Sequence, residues 1–286
     1  MVHSTASGRT LAICVDDFGL HDGVNRAVLA LADQGRISAT SCMVGAPQWA
    51  AGAAALRRLA PGTMDLGLHL DLTENPLEPR LRRPLHRLIS LSLARCLDRA
   101  ALAAEIDRQL DCFEQHLGRA PDHVDGHQHV HQLPVVRELL CDALVRRYAG
   151  RLPWLRSTRR PQHVRPREFK PWLIEQLGCA ALSRLAAAHG FRQNSHLVGV
   201  YDFQGDAAGY RARLGRWLEQ AGDGDLLMCH AALDGPPAES IGAARSNEFE
   251  VLAGAGFAEL LARSGLRVAT PGRTEVLGRT VQAASL

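Results

Sequence analysis

The sequence is poor in features that would place it among secreted, disulfide-stapled or membrane-spanning proteins. Its 286 residues include seven cysteines, an odd number without any C-x-x-C pair, which argues against a disulfide framework or a zinc knuckle. No stretch approaches the roughly 20 apolar residues of a membrane span. The residues before Thr10 are polar, and the apolar run that follows is interrupted at Asp16, unlike the core of a signal peptide. We therefore expect a cytoplasmic protein.

An excess of charge of one sign is also absent. The 33 basic residues stand against 30 acidic residues and give a formal charge of +3, a balance that does not indicate a nucleic acid partner. Basic residues do concentrate in one stretch, at Arg146, Arg147, Arg151, Arg156, Arg159, Arg160, Arg165, Arg167 and Lys170. We interpret this stretch as a solvated surface, with peripheral contact to anionic groups or lipid headgroups as the alternative.

Short apolar segments alternate with longer amphipathic segments along the chain, which predicts strands followed by helices. Strands are predicted at Thr10–Val15, Ile37–Val44, Met64–Leu70, His123–Asp125, Leu155–Thr158, His196–Val200, Asp225–Cys229 and Arg267–Ala269. Helices are predicted at Val24–Gln34, Ala50–Leu59, Arg99–Leu117, Pro134–Tyr148, Glu168–His189, Ala208–Ala221 and Asn247–Ser264. About seven such repeats favour an α/β fold with one domain over residues 1–286, a distorted TIM-like (β/α) barrel of about seven strands.

One stretch, Thr73–Ser92, breaks this alternation. It contains Pro76, Pro79 and Pro84 and shows no clear period before Leu85. We interpret residues 73–92 as a loop insertion near the active-site rim of the barrel, where lids and substrate-binding segments are common.

Residues able to bind a metal ion lie at or just beyond the ends of the predicted strands. These residues are Asp16, Asp17, His69, His127 and His230. Because the carboxyl ends of the strands of a β/α barrel meet at one rim, where active sites of this architecture are built, we expect the separate segments to form one site.

The two adjacent carboxylates follow an apolar strand, a costly position unless a cation compensates them. Neighbouring side chains on an extended chain point to opposite sides. We therefore expect one carboxylate to bind a metal ion and the other to meet an attacking water molecule. In the alternative interpretation Asp17 only caps the following turn and Asp16 is exposed.

The segment His123–His131 carries five polar or ionisable residues at period two, four of them histidines. If the strand continues, Asp125, His127, His129 and His131 lie on one side. Imidazoles are the commonest ligands of divalent transition metals, and carboxylates often orient them. The segment therefore predicts a metal site, and the spacing leaves open whether one or two metal ions bind, as two do in some phosphoesterases.

Two further histidines complete the predicted site. His69 shares a strand face with Asp71, opposite a row of leucines, and His230 ends the apolar strand Asp225–Cys229. A histidine titrates near neutral pH and can protonate a leaving amine, which makes His230 a candidate proton donor.

In this order the motifs resemble those of the YdjC/ChbG-type carbohydrate deacetylases, a group with a hopanoid-biosynthesis-associated (HpnK-like) branch. The resemblance rests on Asp16–Gly19 with Gly23–Asn25, Gly67–Thr73, His123–Pro134, Cys229–His230 and Arg245–Glu248. It implies a TIM-like barrel, the metal ligands Asp17, His69 and His127, and Asp16 in the position of the general base. The resemblance also places His230 near the site, where we assign it the role of general acid. Around them, or against the substrate, it places Asp125, His129, His131, Arg245 and Glu248. Relatives have a proline after the late histidine, where this chain has Ala231 and Ala232.

The expected reaction is hydrolysis of an N-acetyl group from an amino sugar, in an oligosaccharide or a glycolipid, with release of acetate. One divalent ion is expected, with Zn²⁺ fitting three such ligands best and Mg²⁺ as the alternative. The competing hypotheses are a metal-dependent phosphoesterase acting on a sugar phosphate and a non-catalytic sugar-binding protein. A homodimer is the default expectation for a soluble enzyme.

Overall fold

A computed structural model describes residues 9–161, 169–235 and 239–270 of the chain. The strands are β1 (Arg9–Phe18), β2 (Ala39–Cys42), β3 (Asp65–Leu70), β4 (His123–Gly126), β5 (Trp154–Leu155), β6 (Leu197–Val198), β7 (Asp225–Cys229) and β8 (Leu266–Val268). The helices are α1 (Asp22–Asp33), α2 (Trp49–Leu56), α3 (Leu85–Leu93), α4 (Arg99–Leu117), α5 (Val136–Tyr148), α6 (Phe169–Gln176), α7 (Cys179–His189), α8 (Ala207–Gln220), α9 (Gly242–Ala253) and α10 (Gly256–Ser264).

The strands form one curled parallel sheet in the order β5-β4-β3-β2-β1-β7-β6, with β8 paired to the first residues of β1. The two edges of the sheet approach each other. Leu155 in β5 bridges to Gln193, and the N–H of Leu197 in β6 donates to the carbonyl of Arg159. The prediction of an α/β fold with a distorted TIM-like barrel is confirmed.

The central strand β1 shows why the sequence folds in this way. Leu11, Ile13 and Val15 are fully buried, and every residue of β1 after Arg9 is buried. Parallel strands covered on both faces need such continuous apolar runs, because helices pack on them. Between β3 and β4, the long helix α4 begins where Asp98 accepts the N–H of Ala101 and ends at a left-handed glycine, as capping rules predict.

Two segments predicted as single helices are each broken in two. Glu168–His189 divides into α6 and α7 at Gly178, whose φ is +146° and where a Cβ atom would lie 2.2 Å from the carbonyl oxygen of Gln132; Glu168 itself lies outside the described residues. Asn247–Ser264 divides into α9 and α10, and α9 begins earlier, at Gly242. Among the described residues, no helix is both long enough and apolar enough to cross a bilayer.

The stretch predicted as a loop insertion contains ordered structure. It includes a short 3₁₀ helix at Pro79–Leu81 and nearly all of α3. Buried carboxylates hold its beginning: Asp71 accepts the backbone N–H groups of residues 73–75, and Glu105 of α4 accepts those of residues 77 and 78. These bonds fix the segment beside the end of β3.

Candidate metal centre and active site

A cavity of about 670 Å³ lies at the carboxyl ends of the strands. Four separate segments of the chain bring the predicted catalytic and metal-binding side chains to it, namely Asp16, Asp17, His69, His127 and His230. The convergence follows from the parallel sheet, in which neighbouring strands end on the same rim.

The end of β1 is irregular where the two carboxylates lie. Its pairing with β2 shifts between Val15 and Phe18, and Asp17 has a φ of +67°. A left-handed conformation is uncommon for a residue other than glycine and is often found at functional sites. The two carboxylates have different partners, since Asp16 pairs with Arg156, whereas Asp17 contacts two histidines and Arg245.

Asp17, His69 and His127 meet closely enough to share one metal ion. The Oδ1 atom of Asp17 lies 3.0 Å from Nδ1 of His127 and 3.4 Å from Nε2 of His69. The three side chains are buried, and their ligand atoms all lie within 4.8 Å of one another. One carboxylate oxygen and two imidazole nitrogens form a donor set that suits a divalent transition metal.

The electrostatics of these three side chains also fit a cation. Burial opposes protonation of His69, but the carboxylates of Asp125 and Asp16 outweigh it and raise its pKa to about 9. Burial likewise opposes protonation of His127, whose pKa the Asp17 carboxylate raises well above its usual value. Burial alone would raise the pKa of Asp17, yet Arg245 and His127 hold it well below its usual range. A metal ion would replace the protons that the imidazoles attract.

A carboxylate lies against the outer nitrogen of each imidazole. Nδ1 of His69 is 2.6 Å from Oδ1 of Asp125, and Nε2 of His127 is 3.2 Å from Oε1 of Glu74. Such contacts fix the orientation of a ligating ring and strengthen its basicity. Asp125 was among the predicted neighbours of the ligands. Glu74 was missed, because it reaches His127 from a different segment and no local spacing reveals that contact.

Arg156 is the most important residue that sequence reasoning misplaced. The interpretation of a solvated arginine surface is wrong for it, since Arg156 is fully buried. Its Nη1 and Nη2 atoms donate to the two oxygens of Asp16 at 2.6 and 2.7 Å, and Nη2 lies 2.5 Å from Oδ2 of Asp125. Two buried carboxylates need a compensating cation, and Arg156 supplies it from the end of β5.

Other members of the basic stretch lie elsewhere. Arg146 is exposed and pairs with Asp107, while Arg160 pairs with Glu175. Arg165 and Arg167 lie outside the described residues. The solvated-surface interpretation holds for Arg146.

Two further groups of potential ligands are less suited to a cation. Asp16, His69 and Asp125 lie together, but the guanidinium of Arg156 already forms ion pairs with both carboxylates. In the group of Cys14, His123 and Asp125, Nε2 of His123 lies 3.0 Å from the hydroxyl of Ser41, and burial raises the pKa of the Cys14 thiol. Asp17, in contrast, directs one oxygen at two imidazoles that reach the cavity.

The histidine-rich segment does not continue as a strand, so its period-two pattern ends at Gly126. Residues 127–132 form a 3₁₀ helix in which His129 has a left-handed φ of +60°. His127 and His129 line the cavity, whereas His131 points inward, with Nε2 3.0 Å from the carbonyl oxygen of Arg156. The expectation that all these side chains share one side is therefore wrong beyond Gly126.

Two residues of α9 hold the backbone of His230 from both sides. The carboxylate of Glu248 accepts its N–H, and Nη1 of Arg245 donates to its carbonyl oxygen at 3.1 Å. Arg245 also donates to Oδ2 of Asp17 at 2.7 Å, which leaves Oδ1 directed at the histidines. Burial lowers the pKa of His230 to about 4, so its imidazole is neutral at neutral pH.

Because the pKa of Glu248 is shifted, the stability of the folded protein should depend on pH. Burial raises its pKa to about 7, above the ordinary value of 4.5, although His230 and Tyr201 donate to it. The folded state therefore keeps a proton that the unfolded state releases, and this contribution to stability is lost as the pH rises through about 7. Between pH 4.5 and about 7, we expect the free energy of unfolding of the wild-type protein to fall by up to about 3 kcal/mol relative to that of Glu248→Gln.

Urea unfolding of both proteins at pH values across this interval measures the effect. Because every other titrating group is common to the two proteins, only the difference between their curves matters. Parallel pH profiles for the wild-type protein and Glu248→Gln would contradict the assignment.

Comparison with known proteins agrees with the motifs. Residues 10–263 match the family of YdjC-like proteins. A carbohydrate deacetylase of Homo sapiens is 29% identical in an alignment 303 residues long, gaps included, which covers 90% of this chain and 88% of that protein. A chitooligosaccharide deacetylase of Serratia marcescens is 32% identical over 238 residues, covering 78% and 82%.

A solved structure shares the fold. It is the crystal structure of an Enterococcus faecalis protein proposed to cleave cellobiose phosphate, which is 22% identical, covers 92% of this chain and 98% of its own, and superimposes with a TM-score of 0.65. The family match extends from β1 to the end of α10 and includes every segment that contributes to the cavity. The protein therefore belongs to the YdjC-like family.

Proposed function

We propose that the protein hydrolyses the N-acetyl group of an amino sugar, releasing acetate and a free amine, with one divalent metal ion held by Asp17, His69 and His127. The observation that carries the proposal is the meeting of these three buried side chains, from β1, β3 and the segment that follows β4, at the cavity. The relatives named carbohydrate deacetylase and chitooligosaccharide deacetylase support an acetylated sugar as the substrate.

A divalent ion at this position would polarise the acetyl carbonyl and lower the pKa of a nearby water molecule. A carboxylate with two imidazoles suits Zn²⁺ best, with Mg²⁺ as the alternative. Asp16 lines the same cavity and is fixed in orientation by two hydrogen bonds from Arg156. Each of its oxygens keeps a second lone pair, so Asp16 is the candidate base that accepts the proton of the attacking water.

His230 is the candidate for protonating the departing sugar nitrogen. Its neutral imidazole can donate to that nitrogen only after it has itself accepted a proton. The carboxylates of Asp17 and Asp16 raise its proton affinity against the effect of burial. We therefore assign His230 the transfer of the proton that Asp16 removes from water, with Arg245 and Glu248 holding its backbone in place.

The apolar side chains that line the cavity indicate which kind of amino sugar it binds. Leu85 and Ile89 of α3 face it from one side, and Leu173 and Ile174 of α6 from another, with Phe203 near His230. Sugar hydroxyls placed against such a wall would lose water without gaining a hydrogen-bond partner. Of the two predicted substrate classes, this wall favours an amino sugar linked to an apolar group over an unmodified oligosaccharide.

Metal removal tests the proposal. Treatment with a chelator is expected to abolish acetate release from an N-acetylated chitooligosaccharide or glycolipid, and Zn²⁺ is expected to restore it, at one ion per chain. Elemental analysis beside an acetate assay measures both. Full activity of the metal-free protein would reject the metal site. Phosphate release from a sugar phosphate, without acetate release from any N-acetylated sugar, would favour the phosphoesterase, and tight sugar binding without turnover would favour the binding protein.

A further inference from the structure

The exposed large hydrophobic side chains of the described residues are concentrated on two helices. Leu93 of α3 is 59% exposed, and Phe169, Trp172 and Leu173 of α6 are 66%, 39% and 41% exposed. Single exposed apolar residues scattered over a surface need no explanation. A group confined to two elements does indicate a surface for binding. We call these four residues the apolar rim.

The apolar rim is continuous with the cavity. Leu85 and Ile89 lie on the same helix as Leu93 and line the cavity, and Leu173 belongs both to the rim and to the cavity wall. Ile174, next to it on α6, also faces the cavity. Both helices that carry the apolar rim therefore also contribute apolar side chains to the cavity wall.

The chain around α3 is strongly basic. Residues 79–96 contain five arginines and no aspartate or glutamate. Arg80, Arg82 and Arg87 are exposed, and within the described parts of the chain no carboxylate forms a salt bridge with them. Arg95, in contrast, pairs with Glu138. Lys170 adds a cation on α6, at the cavity. Arginines beside exposed apolar side chains are the composition by which amphipathic helices bind the interface of an anionic membrane.

We propose that α3 and α6 dock on an anionic lipid surface, so that the mouth of the cavity opens toward the lipid. The proposal extends the proposed function by naming where an amphiphilic substrate would be met. A second copy of the chain fits this surface poorly. A two-fold interface places a patch against itself, and the unpaired Arg80, Arg82 and Arg87 would then face the same three arginines across it.

Vesicle sedimentation tests the proposal with the full-length, metal-loaded protein. We expect binding to vesicles of phosphatidylglycerol with phosphatidylcholine, little binding to phosphatidylcholine alone, and weaker binding at high salt. The double variant Leu93→Ser, Trp172→Ser is expected to bind at least tenfold more weakly. Arg87→Ser is expected to bind about fivefold more weakly, since each basic residue near the surface contributes about this factor.

Arg58→Ser is the matched control for Arg87→Ser. Arg58 is an equally exposed arginine, but it lies before β3, toward the amino ends of the strands and away from the cavity. Its replacement is expected to leave vesicle binding unchanged. Acetate release from a water-soluble N-acetylated chitooligosaccharide should be retained by all these variants, which separates failed docking from failed folding or a failed deacetylase assignment.

Three results would overturn the proposal. The first is the absence of binding to anionic vesicles. The second is binding that the double variant leaves unchanged. The third is a dimer in light scattering that Leu93→Ser, Trp172→Ser dissociates, which would make the apolar rim an interface between copies.

Discussion

Replacing His127 by alanine is expected to abolish both metal binding and acetate release. The residue is one of the three proposed metal ligands, and its Nδ1 atom lies 3.0 Å from the Asp17 oxygen that faces both imidazoles. Its removal leaves one carboxylate and one imidazole, too few ligands to hold a divalent ion tightly. We expect metal affinity to fall at least 10²-fold and activity to fall to background, as measured by competition with a chromophoric chelator and by acetate release.

Asp16→Asn is the comparison variant for His127→Ala, because it is expected to lose activity without losing the metal ion. Asparagine keeps the shape of the side chain and can still accept a hydrogen bond from Arg156, but it cannot take a proton from water. The variant is expected to bind metal as the wild-type protein does and to lose about 10²- to 10⁴-fold in kcat. Full activity of Asp16→Asn would remove the base assignment, whereas normal metal binding by His127→Ala would remove the ligand assignment.

The convergence of these residues at one cavity could be predicted from the sequence because it depends on the strands. Asp16 and Asp17 end β1, His69 lies near the end of β3, and His127 follows β4. β1 and β3 are largely apolar segments that the sequence reveals, and parallel strands place their carboxyl ends at one rim. The chemistry of the site therefore follows from local patterns together with one rule of topology.

What the sequence did not reveal depends on contacts between distant segments. Arg156 and Asp16 are 140 residues apart, and other arginines of the same basic stretch, such as Arg151 and Arg159, are exposed. The break at Gly178 arises from its close approach to Gln132, and the left-handed turn after Gly126 ends a pattern that looked like a strand. None of these features has a local periodicity, since tertiary packing imposes each of them.

Among the proposed variants, Arg156→Met is expected to cause the largest loss in the free energy of unfolding. Arg156→Met keeps most of the side-chain volume but leaves Asp16 and Asp125 without their cation, and both carboxylates are fully buried or nearly so. Removing one partner of a buried ion pair typically costs about 3–5 kcal/mol. We expect a loss of this size in the free energy of unfolding, measured by urea titration, together with a loss of activity as Asp16 loses its fixed orientation.

Arg146→Met is the matched control, because Arg146 comes from the same basic stretch and also pairs with an aspartate, but at the surface. An exposed pair of this kind contributes about 0–1 kcal/mol. A double variant, Asp16→Asn with Arg156→Met, should recover part of the stability lost by Arg156→Met, because it removes one of the two uncompensated charges. Equal costs for Arg156→Met and Arg146→Met would contradict the structural assignment. An unequal cost without partial recovery would mean that Arg156 stabilises the fold through Asp125 and the packing around it, and that Asp16 is held for catalysis by other contacts.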